Sequence, residues 1–82
     1  MNAFSIAKDL LKSALQLGAR ADQLEPDTPL LGNFPEFNSL TVVGLIVGVE
    51  EQTGASVADD EISADIFRTV GTFADFIAQK LT

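Results

Sequence analysis

The stretch NSLTVVGLIVGVEEQTG, residues 38–54, decides between a helical and a mixed fold. Its centre, Leu40 to Val49, is apolar nearly all round, so it shows neither the alternation of a half-buried strand nor the stripe of a surface helix. Thr41, Val42, Val43, Ile46, Val47 and Val49 are β-branched. Gly44 and Gly48 each weaken a helix by about 1 kcal/mol, so propensity alone favours a strand. The ends point the other way. Asn38 and Ser39 are both good N-cap residues, the run continues into Glu50, Glu51 and Gln52, and Gly54 supplies a left-handed stop. This framing predicts a helix of about four turns. Spanning a membrane takes about 20 residues, more than the run has. Gly44 and Gly48 form a small-xxx-small pair, which outside lipid reads as a place for close packing or as a smooth surface.

Working outward, the segment before this helix splits cleanly on a helical wheel. Phe4, Ile6, Ala7, Leu10, Leu11, Ala14, Leu15 and Leu17 fill one half, and Ser5, Lys8, Asp9, Lys12, Ser13 and Gln16 the other. The pattern predicts an amphipathic helix packed on a core, ended by Gly18 just past its last turn. A membrane-surface anchor is the alternative, but two Lys and one Asp make a weak basic face. No basic region precedes Phe4, so no targeting segment is expected. From Ala19 to Asn38 the chain carries Pro26, Pro29 and Pro35 among acids and reads as a long connection. Structureless loops beyond about 15 residues are uncommon, so Leu24, Leu30, Leu31, Phe34 and Phe37 are expected to tie it down. After Gly54, Asp59, Asp60 and Glu61 start a short helical turn through Ile62, Ile66 and Phe67. Three acids also raise calcium, but the ligand alternation and glycine of a calcium loop are missing. Thr69 then caps a last helix with Val70, Phe73, Ala74, Ile77 and Leu81 on one face. The expected fold is all-α: a bundle of three major helices plus one short one, with a long loop between the first two, in one domain over residues 1–82.

Composition narrows the function. With no His and no Cys among 82 residues, a Ser-His-Asp triad, a Cys nucleophile and the usual zinc sites are all excluded. A domain of this size buries only roughly 60% of its unfolded surface, which leaves little room for an enclosed cleft. Twelve Asp and Glu against five Lys and Arg give a charge of −7, which repels nucleic acid and anionic lipid. The chain is therefore expected to be no enzyme, to bind no nucleic acid and to insert in no membrane.

Ser39, where the loop meets the apolar helix, is the one position suited to chemistry. Its hydroxyl can serve as the helix cap. That is the commoner use of a serine at such a place; the sharper reading is an attachment point for a phosphate-linked group added by another enzyme. A helix start stabilises an anion by about 0.3–1 kcal/mol at the surface, and Leu40 to Val43 bring no acid to oppose it. The residues by themselves leave both readings open.

The order of these parts resembles the acyl carrier protein family over nearly the whole chain. The polar amphipathic helix, the long loop, Asn38-Ser39-Leu40, the end in EEQTG and the closing TVGTFADFI all take part. Asp27, Leu30 and Gly32 resemble the family's loop before the motif, and Thr69-Val70-Gly71 the opening of its last helix. The resemblance implies that Ser39 carries 4′-phosphopantetheine derived from coenzyme A, whose thiol holds acyl groups as thioesters. It further implies a cytoplasmic carrier, expected as a monomer, that catalyses nothing itself and meets a phosphopantetheinyl transferase and the enzymes that load and transfer acyl or aminoacyl groups. Asn38 stands where the family usually has Asp. Gly32 lies six residues before Asn38, where the family's loop glycine is two before the Asp. Thr41 and Gly44 occupy places where family helices usually carry acids that dock on basic partners, which implies partners specialised for this carrier. The Pro-Glu-Phe-Asn-Ser stretch looks like carriers accompanying exopolysaccharide and exosortase gene clusters. The alternative is a carrier-like module that has lost modification and acts by binding partner proteins.

Overall fold

The computed structural model describes residues 2–34 and 37–81, and of Asp59 the backbone alone. Three long helices form where the sequence predicts them: α1 (Ala3–Ala14), α2 (Ser39–Thr53) and α3 (Val70–Leu81). No strand occurs among the described residues.

In α2 the end signals prevail over propensity. The Asn38 side chain accepts the Thr41 N–H at 3.0 Å, and Gly54 closes the helix with φ 74° and an N–H bond to the Glu50 carbonyl at 2.9 Å. Leu45, Ile46 and Val49 are buried. At about 1.5–3 kcal/mol for each fully buried aliphatic side chain, that burial outweighs what two glycines cost.

The end of α1 corrects the sequence reading. The helix stops at Ala14 rather than running to Gly18, and Gln16 takes the left-handed backbone with φ 53°. The Leu17 N–H then closes the turn on the Lys12 carbonyl at 3.0 Å. Leu15 and Leu17 are both buried. In a continuing helix two such residues would point about 200° apart, so the break is what lets both reach the core. Left-handed backbone at a residue with a Cβ costs roughly 1–2 kcal/mol, which the burial of a leucine offsets.

Gly18 instead opens a 3₁₀ helix, Gly18–Gln23, inside the long connection. Leu24 and Leu30 anchor that connection in the core and Phe34 and Phe37 pack against it, but Leu31 is exposed, contrary to expectation. Its main chain supplies the remaining hold. Val70 N–H donates to Thr28 O at 2.9 Å, Leu30 N–H to Arg68 O at 3.0 Å and Gly71 N–H to Pro26 O at 2.7 Å, around an antiparallel bridge between Pro29 and Thr69.

The expected short helix is two 3₁₀ turns, Asp59–Glu61 and Ala64–Phe67, because Ser63 is extended between them. Phe67 is buried, with the rings of Phe37 and Phe73 each 5.5 Å away. Thr69 caps α3 in a reciprocal pair: Thr72 N–H donates to Thr69 Oγ1 at 3.1 Å and Thr69 N–H to Thr72 Oγ1 at 3.0 Å. Val70, Phe73, Ala74 and Ile77 are buried as expected, and Phe76 joins them. Leu81, at the helix end, is exposed instead. Helix α1 packs on both α3 and α2, whereas α2 and α3 touch least. Among the described residues no helix is long and apolar enough to cross a membrane.

Candidate functional site

Ser39 is the first residue of α2 and is exposed. It is not the cap. Asn38 takes that role with extended backbone, and its Oδ1 accepts both the Thr41 N–H at 3.0 Å and the Thr41 hydroxyl at 3.3 Å. An amide oxygen therefore holds the helix start without placing a charge there. The Ser39 hydroxyl makes no hydrogen bond among the described residues, so capping does not occupy it. The first turn of α2 contains no acid. An anion esterified to Ser39 Oγ would lie beside the positive end of a 15-residue helix with no like charge in that turn.

The opposite end of α2 carries Glu50 and Glu51 and no base, against the helix dipole. Glu50 has a structural use there, because its Oε2 accepts the Val57 N–H at 2.8 Å and ties the following loop to α2. Lys80 ties the same loop to α3 by pairing with Glu61 and donating to the Ser56 carbonyl at 3.3 Å. The Lys80 hydrogen bond, followed by the Ala58 N–H, holds the Glu61 carboxyl below its ordinary range.

Where α2 faces this loop, Val42, Val43, Ile46, Val47, Val57 and Ile62, together with Glu50, line an open cavity of about 260 Å³. Val57 and Ile62 belong to no long helix, and no spacing in the sequence marks them as its wall. On the outer side of α2, Leu40 is 81% exposed, Val43 59% and Val47 46%, with Gly44 exposed between them. The spacing puts these residues along one side of the helix. Leu40, Val43, Gly44 and Val47 thus share one exposed apolar face.

No family model matches the chain. The structure is similar to the solution NMR structure of a holo acyl carrier protein from Nitrosomonas europaea, with a TM-score of 0.88 and 42% sequence identity. The alignment covers 99% of this chain and 98% of that one.

The chain belongs to the acyl carrier protein family.

Within the family, the departures noted in the sequence have definite places in the structure. Asn38 is the N-cap, a task that an amide oxygen performs as a carboxylate would. Gly32 has φ 79° and open space around it, so it serves a left-handed turn and not a close approach. Pro35 and Glu36 of the Pro-Glu-Phe-Asn-Ser stretch lie outside the described residues.

Proposed function

We propose that this chain, as a single carrier domain, holds acyl or aminoacyl groups on a 4′-phosphopantetheine arm attached to Ser39, and catalyses nothing itself. The observation that carries this reading is an exposed hydroxyl at the start of α2, left free of capping by Asn38, in a chain 42% identical to a holo acyl carrier protein. In the loading step, Ser39 Oγ forms a phosphoester bond to the pantetheine phosphate of coenzyme A. The pyrophosphate bond breaks, adenosine 3′,5′-bisphosphate leaves, and the hydroxyl proton passes to a base of the transferase. When bound, the arm supplies the thiol that this Cys-free chain lacks, and that thiol carries the cargo as a thioester. Ser39 presents the attachment oxygen, Asn38 fixes the helix start, and the α2 dipole favours the phosphate. The partners are a phosphopantetheinyl transferase and the enzymes that load and unload the arm. The smooth start of α2 supports a specialised pathway, in the cytoplasm, over general fatty-acid synthesis.

Incubation with coenzyme A and a broad-range phosphopantetheinyl transferase, followed by intact mass, tests the assignment. One arm's mass should be gained by the wild type and lost with Ser39→Ala. No gain with several such enzymes, or a gain that survives Ser39→Ala, overturns it in favour of an unmodified binding module.

A further inference from the structure

An attachment serine has to be held steady against the rest of the fold, and direct packing of α2 on α3 supplies little of that hold, because these two helices touch least. Asn38 fixes the first turn of α2 from within, through Thr41, but a cap does not tie a helix to its neighbours. The tie lies one residue earlier. Phe37 is half-buried and packs against the core, with its ring centroid 5.5 Å from that of Phe67 at an interplanar angle of 59°. Aromatic pairs prefer such a tilted arrangement. Phe67 is itself fixed. Its ring lies 5.5 Å from that of Phe73, which is fully buried in α3, and its carbonyl accepts the Leu31 N–H at 3.2 Å. Beside it, the Thr72 hydroxyl of α3 donates to the Ile66 carbonyl at 2.9 Å. Three rings therefore run from α3 to the residue before the cap. On the approach side, Phe37 N–H donates to the Phe34 carbonyl at 3.0 Å, and Phe34 also packs against the core.

We propose, on the reading of Ser39 given above, that Phe37 is a positioning residue for attachment of the arm: seated on Phe67, it sets where Ser39 Oγ stands relative to the body of the protein. Its ring is turned to Phe67, so it acts through Asn38 and Ser39. Misplacing a reacting atom by about 1 Å can cost about a hundredfold in rate. Loss of the ring should thus appear in kcat, whereas loss of a binding contact would appear in KM.

The test measures arm transfer from coenzyme A by a broad-range phosphopantetheinyl transferase, and amide exchange in the unmodified protein. Thermal unfolding first sets a temperature at which every variant is folded. Phe37→Ala should lower kcat at least fivefold, with KM for the carrier changed less than threefold. The Thr41 and Val42 N–H groups, both held by Asn38, should exchange at least fivefold faster. Phe37→Tyr keeps the ring and should restore kcat and exchange to within threefold of the wild type. Should Phe37→Ala not fold, Phe37→Leu takes its place, with at least a threefold loss of kcat expected. A folded variant without the ring that keeps wild-type kcat and exchange, or that raises KM with kcat unchanged, overturns the positioning role while Ser39 is still modified. Failure of the wild type to gain the arm with any transferase overturns the Ser39 reading itself, and the positioning role with it.

Discussion

Asn38 removes one of the two readings of its neighbour, the helix cap. Because its amide oxygen holds the Thr41 N–H, the Ser39 hydroxyl is not needed for capping. The sequence left that choice open because Asn and Ser are comparable caps. The glycines divide in the same way. A Cβ at Gly48 would lie 2.6 Å from the Leu10 Cδ2 atom, whereas nothing lies within 4 Å of one at Gly44. Close packing and a smooth surface, offered by the sequence as alternatives, each hold at one of the two positions. Gly44→Ala should therefore stabilise the fold by up to about 1 kcal/mol, the helix-propensity difference. Gly71→Ala should destabilise it by about 1–3 kcal/mol, because its Cβ would meet the Pro26 carbonyl oxygen at 2.6 Å, against main chain that cannot swing aside. Urea unfolding of both variants checks the opposite signs. Gly71 was not legible as a constrained position, since its neighbour Pro26 is far away in the sequence.

At the scale of elements, α2 was legible from its caps and obscured by its centre. Its periodicity is hidden because the exposed face is as apolar as the buried one, and only packing separates Val43 and Val47 from Ile46 and Val49. A peptide of residues 38–54 should accordingly be largely non-helical in water by circular dichroism, since tertiary burial supplies what its β-branched residues and glycines withhold. Strong helicity would show that the caps suffice. The end of α1 was not legible for a different reason: the need to bury both Leu15 and Leu17 places a left-handed residue at Gln16, where no glycine marks it. The loop after α2 adds a pH dependence. Glu61 has its pKa lowered from 4.5 by Lys80, so this pairing favours the fold fully above that value and is lost as pH falls through the folded pKa. Lys80→Met should lower Tm at pH 7, and the gap to wild type should narrow as pH falls below 4.5 and through the folded pKa. A gap independent of pH would assign the effect to packing over the Phe76 ring, 5.7 Å from the Lys80 ammonium.

For the whole molecule, the balance of charge sets an expectation that no single contact does. Lys80 is engaged with Glu61 and Arg68 with Asp65, an exposed pair worth at most about 1 kcal/mol. Five cations cannot neutralise twelve acids, so the −7 charge is held in a body of 28 × 26 × 19 Å. At 0.01 M salt the Debye length is about 30 Å, and the acids repel one another across the entire fold. At 0.1 M it is about 10 Å, and only near neighbours still interact. Unfolding spreads the same charges over a larger volume, so the repulsion weighs on the folded state more than on the unfolded one. Tm should rise as NaCl is raised from 0.01 to 0.1 M. A relief of about 1 kcal/mol corresponds to roughly 4–8 °C for a chain of this length. A flat or falling Tm over that range would mean that local ion pairs, which salt weakens, outweigh the overall repulsion.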